Sequence, residues 1–143
     1  MKNILVSIDF KDSENILIDK AFELAEAFKS KIWLLHIAAP DPDFVGYDVG
    51  PQYIRDTRAS EIKKEHKLLQ KYSSNLIEKG VEAESLLIQG ATSQMILEES
   101  KKLKVDLLII GHHEHNLLYK TFIGSVSSNI IDKSIIPVML IPI

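Results

Sequence analysis

Residues Val105–Ser128 read VDLLIIGHHEHNLLYKTFIGSVSS. The stretch opens on VDLLIIG, the most apolar strand candidate in the chain. An unbroken apolar run of that length, stopped by a glycine, is the pattern of a strand covered on both faces, which predicts a central place in a sheet. From Gly111 the chain enters a polar segment holding three of the five histidines and leaves it at Gly124-Ser125. A short helix is expected from about Ser125 to Lys133. Strand, loop and helix in that order make half of a parallel β-α-β unit, and the flanks decide whether the unit repeats.

It repeats. Upstream, VEAESLLIQG (Val81–Gly90) alternates and then turns apolar, a strand ending at Gly90, and Thr92 or Ser93 can cap a helix running to about Leu103. A longer helix precedes it, marked on one face by Ile62, Leu69, Tyr72 and Leu76 and stopped near Gly80. PDPDFVGYDVGP (Pro40–Pro51) is dense in turn formers and reads as a loop. KIWLLHIA (Lys31–Ala38) and Asn3–Asp9 are two more apolar strands. Between them Leu17, Ala21, Leu24, Ala25 and Phe28 recur at helical spacing, with Asp12 and Ser13 as N-cap candidates. Downstream, IIPVMLIPI supplies a last strand. Pro137 and Pro142 cannot donate to a ladder, which predicts an edge position or at least limited pairing. Trp33 and Phe22 are core candidates, His36 a satisfied structural histidine, and His66 a surface residue.

The resulting order β-α-β-α-β-α-β-α-β predicts an α/β fold: a five-stranded parallel sheet with helices on both faces. Such sheets bind ligands beyond the carboxyl ends of their strands, where the strand order reverses. In a five-stranded version that crevice lies between the first and fourth strands. A length of 143 residues, without repeat or linker, suits one domain spanning 1–143.

The bulk composition narrows the function classes. The chain is 45% hydrophobic and 26% charged, as globular proteins are. A net charge of −3 and a pI near 5.9 argue against a nucleic-acid partner. The absence of cysteine excludes disulfides, thiolate catalysis and cysteine-based zinc sites. The first ten residues hold too short an apolar run for a signal peptide or a membrane span, so no membrane partner and a cytoplasmic location are expected.

At the crevice, Gly124-Ser125 entering a helix presents backbone N–H groups and the positive end of a helix dipole, which suits an anion. Ser125, Ser127 and Ser128 can add donors, and Gly124 permits close approach; an ordinary tight turn with a serine cap fits the same residues. Asp9, at the end of the first strand, suits a ribose hydroxyl or Mg²⁺, or alternatively a helix cap. The histidines of HHEH lack a regular metal-ligand spacing, and His113 with His115 would still need a third ligand. A solvated loop with one histidine, His113, near a phosphate fits them better. No P-loop, dinucleotide fingerprint or nucleophile elbow is present.

These residues resemble a known family. Gly111, two residues, position 114, nine residues and then Gly124-Ser125 is similar to the G-x2-G-x9-G-[ST] motif of universal stress proteins. NILVSIDF, IWLLHIAAP, VDLLIIG and GSVSSNIIDKSIIPVMLIP resemble the family's segments in order. The resemblance implies a Rossmann-like three-layer sandwich of strand order 3-2-1-4-5 and a homodimer formed through the C-terminal strand. It implies an adenine nucleotide (ATP, ADP or AMP, with or without Mg²⁺). Asp9 would approach ribose and metal, and Ile37 would meet adenine through its backbone. Gly111, Gly124, Ser125 and Ser127 would contact phosphate, with His113 and Val126 in the same site. The departure is Glu114, which stands where the motif has its second glycine; Lys11, where many relatives have a small hydroxyl residue, can offset its charge. Three functions compete: a nucleotide-binding regulatory protein, a nucleotide-free interaction module whose triphosphate site is lost at Glu114, and an enzyme using a loop histidine. No catalytic set is recognisable, so at most slow ATP hydrolysis is expected.

Overall fold

The structure, a computed structural model, describes residues 1–38, 52–113 and 125–143. Its elements are β1 (Asn3–Ile8), α1 (Glu14–Phe28), β2 (Lys31–Ala38), α2 (Gln52–Glu78), β3 (Ala83–Gln89), α3 (Thr92–Lys102), β4 (Leu107–His112), α4 (Ser125–Lys133) and β5 (Val138–Pro142). The five strands form one parallel sheet of order β3-β2-β1-β4-β5. This is the Rossmann-like arrangement expected. Burial of both faces explains the unbroken apolar runs: Ile4, Leu5 and Val6 of β1 and Leu108 and Ile109 of β4 have no exposed surface. The middle strand is β1. VDLLIIG contributes β4, an interior strand between β1 and β5 with both faces covered, as expected.

Alternate side chains feed two cores. On one face Ile4, Val6 and Ile8 pack with Leu17 and Ala21 of α1 and with Leu69 and Leu76 of α2. On the other, Leu5, Leu35 and Ile37 pack with Ile96 of α3 and Ile130 of α4. Two helices per face make the three layers. Phe22 and Trp33 pack at the margins of these clusters and are only partly buried. Phe28, read as part of the α1 stripe, is 54% exposed, so the buried stripe ends at Ala25.

Helices α2 and α3 end alike. After α2, Gly80 takes φ +89°; its N–H donates to the Ile77 carbonyl, and the Val81 N–H donates to that of Leu76. That is a Schellman closure, and it needs the left-handed conformation glycine supplies. The same closure follows α3, where Lys104 (φ +50°) takes the glycine's place. The starts of the helices depart from expectation. Ser13 occupies the N-cap of α1 without a side-chain cap, and its Oγ is buried with no hydrogen bond among the described residues. Asp12 sits at φ +64° instead of capping. Ala91, which has no side chain for the task, holds the N-cap of α3, so Thr92 and Ser93 already lie inside the helix. β5 is an edge strand, as its prolines require.

Candidate functional site

Because every crossover returns the chain to the same side, the carboxyl ends of all five strands share one edge of the sheet. The order reverses between β1 and β4, which pair directly through Ile4–Leu107, Leu5–Leu108 and Val6–Ile109. Above that pair lies a cavity of about 500 Å³. Asp9, Ile37, Gly111, His113, Val126 and Ser127 all line it. The crevice between the first and fourth strands is therefore where the sequence placed it, and six of the eight candidate residues share it. Ser125 is the first residue of α4. Gly124, Glu114 and His115 lie outside the described residues.

The cavity has two chemical ends. Ile8, Ile37, Ile96 and Ile110 form an apolar wall from three strands and α3. Polar groups gather at the rim. Asp9 leaves β1 there, and its Oδ1 accepts the Lys11 N–H at 3.2 Å, a local Asx-type turn. Its Oδ2 lies 3.2 Å from Nε2 of His113, which follows β4, so the pair spans the reversal point. Lys11 lines the cavity as well. Asp9 is thus a rim carboxylate and caps no helix. Ser127 is 7% exposed while Val126 is 39% exposed, so the first turn of α4 turns one side chain inward and leaves the next open. The N-termini of α3 and α4 both reach this edge, through Thr92 and Val126 respectively. Their free N–H groups and dipoles add positive potential at the rim.

Gly111 has a packing reason of its own. A Cβ there would stand 2.5 Å from Cδ1 of Ile143. Ile143 is fixed in place by its N–H, which donates to the His112 carbonyl at 2.9 Å. No group of three or more His, Cys, Asp or Glu able to hold a metal occurs among the described residues.

A family model described as "Universal stress protein family" matches residues 1–142. The chain belongs to the universal stress protein family. Universal stress protein YxiE of Bacillus subtilis (strain 168) is 29% identical over 143 residues, covering 96% of this chain and 97% of that protein. Among solved structures, universal stress protein UspA from Lactobacillus plantarum matches with a TM-score of 0.82 at 16% identity, covering 98% and 97% of the two chains. That likeness is one of fold. A universal stress protein family protein from Arabidopsis thaliana with AMP bound matches with a TM-score of 0.64 at 25% identity, covering 99% and 92%.

Within this universal stress protein fold, the cavity also takes residues that the motif does not name. Thr92 was read as a cap, and His36 as structural only; both line the cavity. The signal that finds His36 is register: in the parallel β1–β2 pair it stands level with Ile8, one residue before Asp9. Thr92 follows from topology, since α3 starts at the same sheet edge at which β3 ends.

Proposed function

We propose that this chain is a homodimeric universal stress protein that binds an adenine nucleotide in the β1/β4 cavity and acts in a regulatory, cytoplasmic stress-response role, the whole chain serving as one domain. The observation that carries this reading is the cavity's division into an apolar wall and a polar rim. A flat purine suits the isoleucine wall beside Ile37. Anionic phosphate suits the start of α4, with Gly111, Gly124, Ser125, Val126 and Ser127 around it and Lys11 and His113 as cationic or donor groups. Asp9 suits a ribose hydroxyl. The AMP-bound relative supports an adenine ligand in this fold.

ATP, ADP and AMP all fit that chemistry. Mg²⁺ is commonly held by one or two carboxylates together with phosphate oxygens, and Asp9 is the only carboxylate lining the described cavity. A metal at Oδ2 would share that oxygen with Nε2 of His113 or displace it. The role is binding and not rapid turnover. No helix among the described residues is long and apolar enough to cross a membrane.

Calorimetry with ATP, ADP and AMP, with and without Mg²⁺, tests the reading. Binding is expected, and Asp9→Ala should weaken it by about tenfold for a lost hydrogen bond to an ionised group. No heat at millimolar nucleotide overturns it. The second reading, a nucleotide-free interaction module, is favoured by the carboxylate of Glu114 at the motif's second glycine. It requires that Glu114→Gly create or sharply tighten nucleotide binding.

A further inference from the structure

We infer that His36, backed by Glu65, is a positioning residue for Asp9: it grips the chain on both sides of that carboxylate and sets where the rim's acceptor stands. The imidazole is 7% exposed, and its Nδ1 lies 2.7 Å from the carbonyl oxygen of Ile8. A carbonyl can only accept, so Nδ1–H donates, and the tautomer follows. That carbonyl belongs to the last residue of β1, immediately before Asp9. The other flank is Phe10, whose ring centroid lies 4.6 Å from that of His36 with the planes tilted by 58°. Phe10 takes φ +55°, a left-handed conformation that costs an L-residue with a side chain roughly 1–2 kcal/mol. Neighbouring contacts must hold it there, and His36 supplies one. One ring therefore touches the residue before Asp9 and the residue after it.

Glu65 of α2 stands behind the ring, with Oε2 3.3 Å from Nε2. The same oxygen is buried and makes no hydrogen bond among the described residues, so the approach is close but poorly aligned for donation. In the neutral ring that donates through Nδ1, Nε2 has no proton, so Glu65 bears on the ring by packing and attracts it only as an imidazolium. None of the described residues lining the cavity comes from α2. Glu65 gives that helix a polar contact to a residue of the site. A histidine that only filled space at the strand end would need neither a donor toward Ile8 nor a carboxylate behind it.

The inference deepens the nucleotide reading, and only its affinity arm rests on that reading. His36→Asn and His36→Leu are of nearly equal size, but only Asn keeps a donor near the Nδ1 position. Backbone and carboxylate NMR spectra of the ligand-free protein report Asp9 directly, because the Lys11 N–H is bonded to its Oδ1. In His36→Leu the Lys11 amide and Asp9 carboxylate resonances should move, and AMP affinity should fall by about tenfold. His36→Asn should return much of both. Rescue by Leu and not by Asn, or unmoved resonances in a folded His36→Leu, overturns the proposal. If the wild type binds no adenine nucleotide, the functional reading fails, while the ligand-free spectra still decide the positioning claim. If His36→Leu does not fold, Glu65→Gln carries the same spectral test: shifted Lys11 and Asp9 resonances support the clamp, and unmoved ones reject it.

Discussion

Gly111 illustrates how a single residue can be legible for one reason and required for another. Its place in the motif suggests close approach of a phosphate. The structure adds the chain's own Ile143, whose Cδ1 occupies the space a Cβ would need, with Cδ1 of Leu17 3.6 Å away. The clash is with the tip of a flexible side chain, so relief is available by rotation of Ile143, which itself lines the cavity. Gly111→Ala should therefore cost roughly 1 kcal/mol, the low end for overpacking. In Gly111→Ala/Ile143→Ala the loss should be smaller than the sum of the two single changes. Urea denaturation of the four proteins checks this, and strict additivity would show that the two side chains do not compete. The neighbouring histidines were the most conspicuous residues of the sequence. Of them, His113 gains its meaning from a partner 104 positions away, Asp9, which no local pattern announces.

At the scale of elements, strand and helix placement followed from periodicity, because burial on two faces or on one stripe leaves a direct mark on residue order. The helix starts were harder to read. Asp12, Ser13, Thr92 and Ser93 have the right chemistry for caps, yet none provides one, since the backbone entering α1 and α3 is set by the sheet edge it leaves. One long-range staple was not legible at all. Asp106, just before β4, accepts the N–H groups of Lys2 at 2.6 Å and Asn3 at 2.9 Å, while its own N–H donates to the Asn3 carbonyl at 2.8 Å. Hydrogen bonds from Asn3 first and Lys2 second hold the carboxyl below its ordinary value. A depressed carboxylate contributes stability that is present above its unfolded pKa, about 3.9, and is lost as pH falls through the lower folded value. Asp106→Ala should lower the melting temperature at pH 7, and the gap from wild type should close below about pH 4. A gap that persists at lower pH would assign the effect to something other than the carboxylate charge.

For the whole molecule, the apolar edge strand β5 and two exposed isoleucines near it bear on assembly. Among the described residues β5 pairs with β4 alone, and Ile135, just before it, is 80% exposed, with Ile131 of α4 41% exposed. An apolar edge strand of this kind calls for a cover, and in the proposed dimer a second copy aligned on β5 would supply one. Ile135→Glu should convert a dimer to a folded monomer, read by sedimentation equilibrium with unchanged far-ultraviolet circular dichroism. A wild type that is monomeric at high micromolar concentration would remove the dimer reading. The sequence by itself determined the five strands, the four helices, the parallel order and the crevice between the first and fourth strands. Those follow from apolar periodicity and from the connection rules, both of which are written along the chain. Only the tertiary structure decided that Asp9 faces His113, and that His36 reaches the Ile8 carbonyl with Glu65 behind it. Each of these depends on which distant residues become neighbours, and that is fixed by packing and strand register, which the order of residues encodes only through the completed fold.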